Sequence, residues 1–157
     1  NVYKNGLIEY VMSEKIKILE KKINNILRKL SNYEINIKIE NKKIIFNKII
    51  LTENDKFEYL NASMISGYER VVFNLSLRIG LNSMNIMTKN NFLIIDEGFA
   101  AADNVNIHKF PNILEEIKKE YEICIMISHI DEIKNQKGKM IEIEYEEKTK
   151  DSNIKII

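Results

Sequence analysis

The apolar run Phe92-Leu93-Ile94-Ile95 stops at two adjacent carboxylates, Asp96 and Glu97, which are followed by Gly98 and Phe99. A run this short, bounded by polar residues and a glycine, predicts a buried strand rather than a helix. A second run, Ile123 to Ile127, ends at Ser128-His129. Between the two lie Ala100-Ala101-Ala102-Asp103 and a helical stretch carrying Ile113, Leu114, Ile117 and Tyr121, with Pro111 suited to its first turn. Strand, helix and strand over this interval are the contents of a right-handed βαβ crossover, which makes the two strands parallel. Ligands of such sheets sit beyond the carboxyl ends of the strands. Asp96, Glu97 and His129 are therefore expected to share one edge, where two charges are expensive unless a cation or a water engages them. His108 lies in a polar stretch and is assigned no role.

The N-terminal third divides in two. Met12, Ile16, Leu19, Ile23, Ile26, Leu30 and Tyr33 recur at steps of four and three, an a/d seam of about three heptads. Glu14, Lys15, Lys17, Glu20, Lys21, Lys22, Arg28 and Lys29 occupy the intervening face, which is mostly basic. A seam this narrow favours the base of a coiled-coil arm over 1–33, with an ordinary surface helix as the alternative. From Tyr33 the period changes to two. Ile35, Ile37 and Ile39 alternate with polar residues as in a half-buried antiparallel strand. Asn41-Lys42 is expected to turn the chain, Lys43 to Phe46 to return it, Lys48 to Thr52 to add another strand, and Glu53-Asn54-Asp55-Lys56 to turn again.

Ser66-Gly67-Tyr68-Glu69-Arg70 precedes a helical run from Val71 to Leu81 whose apolar residues are spread around the helix, implying burial on most sides. Serine followed three residues later by glutamate is a capping box. The free amides of such a helix start, beside a serine and a glycine, also form a ready anion site. On these residues alone the plain cap is the preferred reading, because capping boxes are common and most bind nothing. Near the C-terminus, Lys139 to Tyr145 and Ile154 to Ile157 are expected to be closing strands joined by a charged loop.

The 157 residues suffice for one core, and 45% apolar with 30% charged residues is ordinary for a globular chain. A net charge of +1 gives no global argument for nucleic acid or membrane, so any such surface must be local. One cysteine, Cys124, excludes an intramolecular disulfide, and its apolar run suits a buried, inert thiol. No segment has the length and apolarity of a bilayer span, and no signal peptide is evident, so no membrane partner and an intracellular location (cytoplasm or nucleus) are expected. A start at Asn1 rather than Met is what a piece of something longer would show.

Taken together, these stretches resemble a known family. Ser66-Gly67-Tyr68-Glu69-Arg70 at a helix start resembles the ABC signature motif. Phe92 to Glu97 resembles a Walker B strand with its catalytic glutamate, and Ala102-Asp103 the D-loop. Ile127-Ser128-His129-Ile130-Asp131-Glu132-Ile133-Lys134 resembles the switch-histidine segment. With a coiled coil entering from the N-terminal side, the order is similar to the C-terminal half of an SMC-like ABC ATPase head. Asp-Glu-Gly-Phe and Ser-His-Ile-Asp-Glu are most like the SbcC type of DNA double-strand-break repair ATPase. The resemblance covers about residues 10 to 157. It implies an α/β fold: the C-terminal lobe of an ABC-type P-loop NTPase head over 34–157, with parallel core strands, helices and antiparallel strands at the edge, preceded by a coiled-coil helix.

What the resemblance implies for chemistry is Mg²⁺-dependent ATP hydrolysis between dimerised heads. Asp96 would hold Mg²⁺ through water. Glu97 would orient and deprotonate the attacking water, and His129 would contact the γ-phosphate. Ser66 and Gly67, with Tyr68 and Glu69 in the same motif, would bind in trans the nucleotide held by the opposite head. Asp103 would lie across that interface, and Arg70 and Arg78 would relay head closure to the coil. Tyr68 stands where the family has a second glycine. No Gly-x-x-x-x-Gly-Lys-Ser/Thr loop is present, since the Gly138-Lys139 pair runs on into Met140. The chain is thus expected to be half of a head, an ATPase only when completed by an N-terminal lobe carrying the phosphate loop.

Further partners implied are a second head in a homodimer, double-stranded DNA, and a metallo-nuclease at the coil base. Lys15, Lys17, Lys21, Lys22, Arg28 and Lys29 are candidates for phosphate contacts, against the alternative of a solvated coil face. The rival functions are an SMC-type chromosome-organising ATPase and a non-catalytic coiled-coil dimerisation scaffold.

Overall fold

The computed structural model describes residues 2–157 apart from 42, 53–56, 86–87, 101, 103, 137 and 148–149; the expected polar turn at Glu53 to Lys56 and the second residue of the Asn41-Lys42 turn lie outside the described residues. The order of elements is α1 (Val2–Leu30), β1 (Glu34–Glu40), β2 (Lys43–Leu51), β3 (Phe57–Asn61), a 3₁₀ turn (Ala62–Met64), α2 (Gly67–Met84), β4 (Phe92–Asp96), α3 (Asn104–Ile107), α4 (Phe110–Glu120), β5 (Ile123–Ile127), α5 (Asp131–Lys134), β6 (Ile141–Glu146) and β7 (Asp151–Ile156). The fold is α/β. Three sheets are described: the antiparallel meander β1-β2-β3, the parallel pair β4-β5 and the antiparallel hairpin β6-β7.

The long α1 helix is of two kinds along its length. Ile23, Ile26, Leu27 and Leu30 are buried, spaced i, i+3, i+4, i+7 as on a core helix. Leu7, Ile8, Val11 and Met12 are exposed. Of the heptad seam, Ile23, Ile26, Leu30 and Tyr33 are core, Ile16 and Leu19 pack against it half-buried, and Met12 is exposed. Two polar side chains fasten α1 to the edge of the meander. Buried Asn24 accepts from the Ile35 amide at 2.8 Å and donates to its carbonyl at 2.9 Å, and Glu20 accepts from the Ile37 amide at 2.6 Å. These bonds satisfy backbone groups that an edge strand would otherwise leave open.

The meander differs from expectation in its strand boundaries. Lys43–Leu51 is one continuous strand rather than two, and the third strand is Phe57–Asn61. The strand run is uninterrupted because no glycine or proline breaks Lys43 to Leu51. Phe46 of β2 meets Phe73 of α2 edge to face at 5.4 Å.

Helix α2 begins at the capping box as expected and extends to Met84. Its burial is narrower than its composition implied: Val72, Phe73, Leu75 and Ile79 are buried while Leu81 is exposed. Gly80 lets it approach α1, since a Cβ there would stand 3.1 Å from Leu19 Cδ1. Glu116 of α4 also packs against α1: it is buried and takes salt bridges from Lys29 at 3.0 Å and Lys119 at 2.6 Å. Pro111 lies in the first turn of α4, as its lack of an N–H favours.

The strand expected to be buried is buried on one side only. Leu93 is in the core, but Phe92 and Ile94 are exposed, as are Ile123, Ile125 and Ile127 on the neighbouring β5. One face of the parallel pair is therefore an uncovered apolar surface. In the β6-β7 hairpin Ile141, Ile143, Ile154 and Ile156 are likewise exposed, with Ile141 opposite Ile156 and Ile143 opposite Ile154. Among the described residues no helix is long and apolar enough to cross a membrane.

Candidate functional site

Strands β4 and β5 run parallel with Asp96 opposite Ile127. The Glu97 amide donates to the Ile127 carbonyl at 2.9 Å, carrying the ladder one residue past the strand. Glu97 then takes φ of +47°. That left-handed conformation is strained for a residue with a side chain. The turn is fixed from both sides. A Cβ on Gly98 would come within 2.7 Å of Ile95 Cγ2, so no other residue fits without displacement. Phe99 is buried and meets Phe110 edge to face at 5.0 Å, while the Ala100 and Ala102 amides donate to the Glu97 and Phe99 carbonyls.

The result is that Glu97 Oε1 lies 3.2 Å from His129 Nε2. The imidazole side chain is 93% exposed and that of Glu97 39%. Both groups open to solvent at the carboxyl ends of the parallel strands, where the sequence placed them. Ser128 Oγ accepts from the Ile130 amide at 3.1 Å and shapes the turn into α5. Asp96 is exposed at the end of β4. A shallow cleft of about 200 Å³ beside it is lined by Val71, Arg78, Leu93, Asp96, Gly98 and Phe99 among others. That volume is below the several hundred Å³ typical of a small-molecule pocket. Cys124 is half-buried, and burial pushes its thiol pKa up, consistent with an inert side chain.

Ser66 stands apart from this pair, at the start of α2. Its hydroxyl accepts from the Glu69 amide at 3.3 Å and its own amide donates to Glu69 Oε2 at 2.9 Å, completing the capping box. Ser66 and Gly67 are exposed. Tyr68, next in the chain, is buried in the core. Asp103 lies outside the described residues.

Two residues near Ser66 escaped the sequence reading. Lys48 of β2 bonds Glu69 Oε1 at 2.7 Å, and Tyr33 donates its hydroxyl to the Glu69 carbonyl at 2.7 Å. The available signal was a lysine flanked by the apolar runs of β2 and a tyrosine ending the heptad seam. The basic face of α1 is largely engaged within the chain. Lys17 pairs with Glu14, Lys22 bonds Ser83, Arg28 forks onto Glu34, and Lys29 binds Glu116, while Lys15 and Lys21 are exposed.

Among the described residues no group of three or more His, Cys, Asp and Glu side chains is gathered as a metal cage. The lone strand-end Asp96 suits Mg²⁺, which keeps waters and takes one or two carboxylates beside substrate phosphates.

Solved structures fix the architecture. A structure from work on ATP-driven dimerisation and DNA-stimulated activation of SMC ATPases superposes with a TM-score of 0.72 at 16% identity, covering 94% of this chain and 88% of that one. The chain has the fold of an SMC ATPase head lobe. An Smc head bound to the C-winged helix domain of ScpA superposes with a TM-score of 0.71 at 15% identity, covering 95% of this chain and 45% of that one. Both superpositions extend over nearly the whole chain. No protein-family model matches the sequence. An uncharacterised protein of Acanthamoeba polyphaga mimivirus is 32% identical over 152 residues, or 89% of this chain. The chain spans 11% of the length of that relative.

Proposed function

We propose that this chain is the C-terminal lobe of an SMC-like ABC ATPase head, with 1–33 as the base of its coiled coil, 34–157 as the lobe, and Glu97 and His129 as its catalytic pair. The observation that carries the reading is the Glu97–His129 contact at the ends of β4 and β5, within an SMC head fold. In this reading Glu97 takes the proton of the water that attacks the γ-phosphate, and the exposed His129 imidazole contacts that phosphate while its Nε2 stays beside Glu97. Asp96 would hold Mg²⁺, and the ion would supply charge neutralisation to the phosphates. Ser66 and the Gly67 amide serve the nucleotide of the opposite head from the start of α2.

The chain supplies no phosphate loop, and its cleft at Asp96 is too small for a nucleotide. The uncovered face of Phe92, Ile94, Ile123, Ile125 and Ile127 supports an N-terminal lobe as the missing partner, because an apolar sheet face of this kind needs cover. In its presence the head binds ATP. Alone, the 157 residues bind ATP poorly; tight binding or turnover by the isolated chain contradicts the half-head reading.

The biological task we infer is DNA-end binding and repair, in the manner of SbcC-type ATPases, with a metallo-nuclease at the coil base. The Asp-Glu-Gly-Phe and Ser-His-Ile-Asp-Glu sequences support it. The internal pairing of Lys17, Lys22, Arg28 and Lys29 shifts expected DNA contacts away from α1 and towards other surfaces of the paired heads. Chromosome organisation is the second reading, supported by superposition on SMC heads. Copurification of a metallo-nuclease with the full-length protein favours repair, and its absence from a functional complex favours chromosome organisation.

A further inference from the structure

The helix start that bears Ser66 holds a contradiction in charge. Glu69 sits in its first turn, where a carboxylate favours the helix dipole and closes the capping box. The same turn, if it receives a triphosphate, presents that carboxylate to an anion. The structure answers with a cation from another element. Lys48, from the middle of β2, reaches Glu69 Oε1 at 2.7 Å, with side chains 13% and 20% exposed respectively. Its ammonium also lies 4.9 Å from the centre of the Tyr33 ring, an added cation–π attraction. Tyr33 in turn donates to the Glu69 carbonyl at 2.7 Å. Burial pushes the Glu69 carboxyl up, but the bonds from Lys48 and Ser66 outweigh it and leave the group below its ordinary value, so it is ionised at neutral pH.

A capping glutamate works without a lysine, since its second oxygen can face water. Holding a largely buried lysine on it, under an aromatic ring, adds side-chain ordering and desolvation that a cap does not require. Glu69 thereby keeps its bond to the Ser66 amide while its charge is cancelled at the helix start. The cluster also ties that start to Tyr33, just beyond the end of α1.

We propose that Lys48 is a positioning residue for the trans nucleotide contact, neutralising Glu69 so that the Ser66 turn can accept the γ-phosphate of the opposite head. This rests on the signature reading of Ser66.

The test uses the full-length protein that contains this chain, with Mg²⁺ and a non-hydrolysable ATP analogue, and reads the analogue concentration that half-maximally pairs the heads. Lys48→Met raises that concentration about tenfold, the scale of one uncompensated charge in a half-buried site. Lys48→Arg stays within about threefold of wild type because the charge is kept. Glu69→Gln alone, which leaves the lysine charge in excess, requires no more analogue than wild type. The double variant Lys48→Met with Glu69→Gln returns to within about threefold, an outcome a purely structural role would not give. Ser66→Arg is the control and abolishes pairing.

If Lys48→Met pairs like wild type while Ser66→Arg does not pair, the role of Lys48 is overturned and the signature reading stands. Failure of Glu69→Gln to restore the double variant also overturns it. If Ser66→Arg pairs normally, both are overturned. Thermal unfolding of each variant identifies any that fails to fold; where Lys48→Met is one of them, Glu69→Gln decides, a requirement at or below wild type supporting the role of Lys48 and a higher one overturning it.

Discussion

Glu97 Oε1 and His129 Nε2 lie 3.2 Å apart although a helical crossover separates them in sequence. The contact exists because β4 and β5 are parallel neighbours in register, Asp96 opposite Ile127, and because the Glu97 amide continues their ladder. The turn that aims the carboxylate is strained at Glu97 and locked by Gly98 and Phe99. Strain retained at a glutamate that meets a histidine is what a functional turn would show.

That strain is measurable. Glycine adopts positive φ without the Cβ clash, so Glu97→Gly is expected to be more stable than Glu97→Ala by about 1 kcal/mol, despite the greater backbone freedom of glycine when unfolded. Chemical denaturation of the two variants compares them directly. A more stable alanine variant would show that the conformation at φ +47° carries no strain.

Helix α1 should respond to mutation according to position. Ile23 is fully buried and Leu7 is 65% exposed. Ile23→Ala is expected to lose about 2–5 kcal/mol of stability, and Leu7→Ala to change it by less than about 0.5 kcal/mol. Equal losses in denaturant unfolding would mean that the outer part of α1 is packed after all.

Much of this was legible from sequence. The capping box fixed the start of α2, because its two hydrogen bonds are local to Ser66 and Glu69. The paired apolar runs located β4, β5 and the shared edge for Glu97 and His129. Three features were not legible, for different reasons. An apolar run shows that a strand wants burial but not whether this chain supplies both covering faces, and Ile94 and Ile125 remain bare. The seam of α1 could not show where head packing ends and free helix begins. Lys48 and Tyr33 converge on Glu69 through tertiary contacts that no sequence spacing encodes.

Acid should weaken the fold through two carboxylates. For Glu69 and Glu116 burial pushes the pKa up, but bonds from Lys48 and Ser66 to the first, and from Lys119 and Lys29 to the second, more than reverse this and hold both below 4.5. A folded-state pKa below the unfolded value means stability fully present above the ordinary value and lost as pH falls through the depressed one. The unfolding midpoint should therefore fall as pH drops below about 4.5, and less steeply in Glu116→Gln. Identical acid profiles for that variant and wild type would remove Glu116 from the account.

In the proposed function Glu97 activates the water that hydrolyses ATP between paired heads. Co-expression with the N-terminal lobe, followed by ATPase assay of wild type and Glu97→Gln, tests it most directly. Loss of the general base is expected to lower turnover by about 10²–10⁴-fold while an ATP-bound dimer accumulates. Hydrolysis by Glu97→Gln at the wild-type rate, with no trapped dimer, would contradict the assignment.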